Sequence, residues 1–120
     1  MSSANVEAEG FVPLPDLPFQ IFLALGNGRA HGYAIGKDIE ERTKGRLNPT
    51  TGRLYQALKQ LREDGLIEPS DPPADDRGGD ARRRYFRLTA LGKRVMELEV
   101  SRLDSMVALA RERFLAPRQS

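Results

Sequence analysis

The chain has 120 residues, with 19 Lys and Arg against 17 Asp and Glu, one His, no Cys and no Trp, which suits one domain and excludes a large catalytic architecture. Without cysteine there is no disulfide framework, no thiolate nucleophile and no cysteine-held zinc or iron–sulfur centre. The longest apolar run, Leu17 to Leu25, is about half the ~20 residues that a bilayer span requires and follows no basic segment of the signal-peptide kind, so a cytoplasmic protein without a membrane partner is expected.

The net charge of +2 hides an uneven distribution. From Arg42 to Arg62 there are six basic residues (Arg42, Lys44, Arg46, Arg53, Lys59, Arg62) and no acid, and from Ala81 to Arg94 six more (Arg82, Arg83, Arg84, Arg87, Lys93, Arg94), again with no acid. Two acid-free stretches therefore hold twelve of the nineteen cations. Segregation of this kind supplies the local positive potential a polyanion needs, because neutralised phosphates release condensed counterions. On charge alone, two solvated faces fit as well.

In chain order, residues 1–15 carry Ser2, Ser3, Gly10, Pro13 and Pro15 with little periodicity and read as a mobile tail. Asp16 is placed to cap a helix with Pro18 in its first turn. Leu17, Phe19, Ile21, Phe22, Leu23 and Leu25 make that helix apolar nearly all round, so it needs cover on more than one side. A second helix follows His31-Gly32, with Ile35 and Ile39 inward and Asp38, Glu40 and Glu41 outward, and stops at Lys44-Gly45. A third opens at Pro49 and repeats Leu54, Ala57, Leu58 and Leu61 on one face before Gly65. Next, Leu66 to Pro69 and Arg83 to Leu88 read as two strands around the turn-rich SDPPADDRGGDA, a hairpin with a long polar tip. Thr89 caps a last helix that runs to about Phe114 and is halted by Pro117.

Three helices, a hairpin and a helix describe a mainly α protein with a small β-hairpin: a winged helix-turn-helix over residues 16–88, a long C-terminal dimerisation helix over 89–116, and a tail over 117–120. With Leu54, Leu58 and Leu61 inward at about 100° per residue, the third helix turns Gly52, Tyr55, Gln56 and Lys59 outward, flanked by Thr51 and Arg53. Gln pairs bidentately with adenine and Arg or Lys with guanine, Thr and Tyr hydroxyls reach phosphates, and Gly52 permits close backbone approach at a helix N-terminus that favours anions. The expected DNA-binding set is Thr50, Thr51, Gly52, Arg53, Tyr55, Gln56 and Lys59, with Arg82, Arg83 and Arg84 at the wing base. The partner is double-stranded DNA. A winged-helix protein-interaction module without DNA binding is the alternative.

The final helix carries two stripes. Leu91, Val95 and Leu98 can cover its own domain. Met96, Val100, Leu103, Val107, Ala110 and Phe114 repeat at alternating four and three, the spacing of knobs-into-holes packing. That second stripe, assisted by Phe19 and Phe22, is the expected interface of a homodimer, which would set two recognition helices on one face of a duplex. Phe19, Phe22, Met96, Val100 and Leu103 would also line a cavity for an apolar small-molecule effector, or simply fill a core.

No enzyme and no cofactor are expected. Gly26-Asn27-Gly28 with Gly32 lacks dinucleotide-fold spacing and is read as a helix-to-helix turn. His31, the only histidine, can complete neither a metal triad nor a Ser-His-Asp site and is read as a polar residue at a helix start. Asp75, Asp76 and Asp80 beside Arg77 and Gly78-Gly79 read as a charge-mixed loop rather than a metal site.

The segment LNPTTGRLYQALKQLREDGLIEP, then a polar wing and RRRYFRLTALGKR, resembles the PadR family of winged helix-turn-helix transcriptional regulators, in its short form with a single C-terminal helix. Gly32-Tyr33, Pro49 to Tyr55, Leu61 to Ile67 and Arg83 to Arg94 carry the likeness, which extends over about residues 17–114. The resemblance implies a two-fold dimeric DNA-binding repressor released by phenolic acids, drugs or other apolar ligands. It puts Tyr55 and the recognition-helix N-terminus in the major groove and the wing on the backbone. Aspartates 71, 75, 76 and 80 depart from a phosphate-binding wing tip, which moves the expected contacts to Arg82, Arg83 and Arg84.

Overall fold

A computed structural model describes residues 3–73 and 84–117. Its elements are α1 (Ser3–Glu9), α2 (Asp16–Ala24), β1 (Ala30–His31), α3 (Gly32–Arg42), α4 (Thr51–Glu63), β2 (Ile67–Ser70), β3 (Tyr85–Leu88) and α5 (Ala90–Ala110). The last turn, Arg111–Leu115, widens into a π-helix.

Hydrophobic periodicity accounts for the core. Ile21 and Phe22 of α2, Ile35 and Ile39 of α3, Leu54, Leu58 and Leu61 of α4, Ile67 and Phe86 of the sheet and Val95 of α5 meet in one buried cluster. As its all-round apolarity requires, α2 is packed by α3, α4 and α5 together. The polar caps sit where the helices begin: Thr50 Oγ1 accepts the Arg53 N–H at 3.2 Å and Thr89 Oγ1 the Gly92 N–H at 3.0 Å.

Three features differ from the sequence expectation. The wing is a three-stranded antiparallel sheet in the order β1-β3-β2, since Ala30 and His31 pair with Phe86 and Tyr85. A two-residue strand is too short to show periodicity, so only the pairing reveals it. Asp16 lies inside the first turn of α2, with Pro15 at the cap position and no side-chain cap bond.

Residues 3–9 of the expected tail form α1, which packs along α5 and buries Ala8 completely. Phe11, Val12 and Leu14 continue the contact against the core. The Leu14 N–H donates at 2.6 Å to Glu99, a carboxylate only 1% exposed. Glu99 also accepts from Arg102. That guanidinium bond, joined by the Leu14 N–H, holds the Glu99 carboxyl below the usual glutamate range against the opposing effect of burial. A seven-residue helix buried through one small side chain has no readable stripe; tertiary contact stabilises it.

The start of α5 is locked to the end of α4. Thr89 donates its N–H to the Leu66 carbonyl at 3.1 Å and its hydroxyl to the Gly65 carbonyl at 2.6 Å. Gly92 crosses so near that a Cβ there would collide with the Leu66 carbonyl oxygen.

Candidate nucleic-acid interface

The leucine stripe of α4 fixes the direction of everything else on that helix. Leu54, Leu58 and Leu61 are 5%, 1% and 4% exposed, which turns Thr51, Gly52, Arg53, Tyr55, Gln56 and Lys59, with Thr50 at the cap, to the surface. No acidic side chain interrupts this face from Thr50 to Lys59. Lys59 Nζ lies 4.0 Å from Glu63, a long contact between exposed groups that leaves the ammonium available. Gly52 has nothing within 4 Å of where a Cβ would be. The protein's own packing gives no reason for glycine there.

The N-terminus of α3 adds groups that the expected set lacks. His31 caps this helix, its Nδ1 accepting the Ala34 N–H at 3.1 Å, in keeping with the structural role read from the sequence. Its ring meets Tyr85 of β3 edge-on at 5.2 Å. Tyr33 is 70% exposed, and Lys37 Nζ lies 6.0 Å from its ring centroid. Tyr55 of α4 reaches back over α3, so a Cβ at Gly32 would stand 2.6 Å from the Tyr55 hydroxyl. Between the helices runs a groove of about 430 Å³ with Tyr33, Lys37, Asn48, Thr51 and Tyr55 in its walls, and with Glu40 and Glu41 on its α3 side. An aromatic and a lysine four residues apart, Tyr33 and Lys37, are the sequence signal for this part of the surface.

The two basic stretches divide by use. Arg42 is committed inside the protein: its Nε pairs with Asp38 at 2.7 Å and its other nitrogens donate to Gln20 Oε1 and the Gln20 carbonyl at 2.6 and 3.0 Å. Arg87 pairs with Glu68 at 2.9 Å and Arg94 with Glu97 at 3.6 Å. Arg53 and Arg84 are exposed. Arg82 and Arg83, like Asp75, Asp76 and Asp80, lie outside the described residues. Among the described residues no group of three metal-ligating side chains occurs, and no helix is long and apolar enough to cross a membrane.

On α5, Val95 is fully buried and Leu91 and Leu98 pack against the core, so the first stripe covers the protein's own domain. Of the second, Val100, Val107 and Phe114 are 45%, 49% and 82% exposed. Ala110 is exposed and Leu103 half-buried, while Met96 packs partly against the core. Phe22 corrects the expected interface: at 1% exposure it is a core residue with no surface for a partner, because α2 is wrapped by α3, α4 and α5. Phe19 is half-buried.

These elements define a winged helix-turn-helix with a long C-terminal helix. The chain belongs to the transcriptional regulator PadR-like family, which it matches over residues 21–98, and this places it among regulators rather than enzymes. It is 37% identical over 84 residues, 70% of its length, to a 37.1 kDa protein in transposon TN4556 of Streptomyces fradiae, of which it spans 22%. Its fold is similar to that of a transcriptional regulator from Clostridium thermocellum, with a TM-score of 0.64 at 22% identity, covering 97% of this chain and 99% of that one. It is similar too to Bacillus subtilis PadR in complex with operator DNA, with a TM-score of 0.59 at 23% identity over 70% of this chain and 46% of that one.

Proposed function

We propose that this protein is a cytoplasmic, homodimeric repressor that binds operator DNA sequence-specifically and is released by an apolar small molecule. The observation that carries the reading is the outer face of α4: from Thr50 to Lys59 its outward side chains are exposed and none is acidic. Arginine, lysine and glutamine there suit base edges; the threonine and tyrosine hydroxyls suit phosphates. Tyr33 and Lys37 extend the same side on α3 and would take backbone phosphates. Arg82, Arg83 and Arg84 would anchor the wing. Operator binding by Bacillus subtilis PadR supports this reading.

Dimerisation would bury Val100, Leu103, Val107, Ala110 and Phe114 against a second copy, as an exposed apolar repeat of this length requires. A cleft of about 480 Å³ between Leu88, Met96 and Val100 borders that stripe and would receive the effector.

Footprinting on the DNA upstream of the protein's own gene tests binding and supplies the site. Affinity for that duplex should fall steeply with salt. Gln56→Ala and Lys59→Ala should change which sequences are preferred, whereas Arg83→Ala should weaken all of them and lower the salt slope by about one. No retention on any genomic duplex at about 50 mM salt would refute the proposal.

A further inference from the structure

The Gly26-Asn27-Gly28 turn, Arg29 and Arg87 have no part in the reading above, yet they stand together, with Lys93 beside them at the edge of the proposed effector cleft. The turn that joins α2 to β1 forms one wall of a cavity of about 570 Å³ beside the wing sheet, and Arg29, Arg87 and Lys93 project into it from β1's approach, β3 and α5. From these groups we infer that the cavity is a phosphate site, distinct from the α4 face, that takes a phosphate group, whether of a free phosphorylated molecule or of a phosphodiester.

Charge and shape support this. Arg87 gives its Nε to Glu68, which leaves its terminal nitrogens to turn elsewhere. Arg29 donates Nη1 to the Asp71 backbone carbonyl at 3.1 Å, a bond that orients the guanidinium without neutralising it. Neither Arg29 nor Lys93 has a carboxylate partner among the described residues. The neighbouring Glu97 is held by Arg94. Among the described residues that line the cavity there are three cations and no carboxylate, with Glu68 on Arg87 beside it, so the described lining is positive and suits a phosphate. Two guanidinium forks suit the tetrahedral oxygens of a phosphate, to which Lys93 adds a compact charge. Gly28, at φ 130°, keeps that wall of the cavity free of a side chain. Leu25 and Leu88 give the cavity an apolar side for the organic part of a phosphorylated molecule.

Such a phosphate could come from a free phosphorylated metabolite or from the DNA backbone flanking an operator. The test uses the full chain, ¹⁵N-labelled and free of DNA, titrated with sodium pyrophosphate against sodium chloride at matched ionic strength. The amides of Gly26, Gly28 and Lys93 should shift, and the double variant Arg29→Gln/Lys93→Gln should need at least about tenfold more pyrophosphate for the same shift. Both substituted side chains are exposed, so the melting temperature without ligand should not change. A second arm compares the salt slope of DNA binding: a drop of about two in the double variant assigns the phosphate to the DNA backbone, and an unchanged slope assigns it to a free molecule. No pyrophosphate response, shifts centred on α4, or a response that survives the double substitution would overturn the site. Because the first arm contains no DNA, its result stands whether or not operator binding is found.

Discussion

The two halves of α5 share one helix and meet opposite fates. From Thr89 to Arg102 the helix is fastened by a cap, by the Gly92 crossing over Leu66, by buried Val95 and by the Glu99 carboxylate that receives Leu14 and Arg102. Beyond Leu103, Met106, Val107, Leu109, Phe114 and Leu115 are 44 to 82% exposed. Helix propensity does not separate the halves, for both are rich in good helix formers. What separates them is burial: the first half packs against the protein's own core, whereas those apolar side chains of the second half are exposed. An exposed apolar helix is stable when something covers it.

Substitutions in each half sharpen the contrast. The largest effect should come from Leu103→Asp, which places a charge where a second copy would pack and should weaken association about a thousandfold, near 4 kcal/mol. Sedimentation of wild type and variant reads this directly; a monomeric wild type, or a variant that stays dimeric, removes the distal half from the interface.

Gly92→Ala comes next. In a helix this change normally stabilises by up to about 1 kcal/mol, but the collision with the Leu66 carbonyl should reverse the sign and cost about 3 kcal/mol. Urea unfolding checks it, and a gain in stability would show that the crossing is slack.

Glu99→Ala should cost about 2 kcal/mol by leaving the Leu14 N–H without its acceptor. Its pH dependence has a definite sign. The folded carboxyl is held below its ordinary range, so its contribution is complete above the unfolded glutamate pKa and disappears as pH falls through the folded one. Wild-type melting should therefore drop faster on acidification than that of Glu99→Gln; parallel curves would mean the bond to Leu14 does not depend on charge. Smallest is Thr89→Ala, worth about 1 kcal/mol as a lost cap and measurable in the same urea series.

Repetition decided how much was legible in the sequence. Leu54, Leu58 and Leu61 recur at helical spacing and orient α4 without help, and the 96-to-114 stripe of α5 is visible for the same reason. Features that depend on a single residue or a distant partner are not. Ala8 is one small side chain. Ala30 and His31 become a strand only because Phe86 and Tyr85 lie beside them. Nothing local to Glu99 points to Leu14, 85 positions away in the chain, which is bonded to it. The need for glycine at 92 is explained only by the Leu66 carbonyl. Of the candidate interface, the α4 portion follows from periodicity, whereas Tyr33 and Lys37 become neighbours of Tyr55 through the crossing of two helices.

The junction of Thr89 and Gly92 with Gly65 and Leu66 makes α4 and α5 behave as a crank and its shaft. A helix of 21 residues is about 31 Å long, so a tilt of about 5° at the junction moves its far end by nearly 3 Å. In the proposed dimer, a small shift where the two helices met would turn each α4 relative to its twin and change the distance between two half-sites. The proposed effector, held near Met96 and close to the pivot, would act on the short arm of that lever.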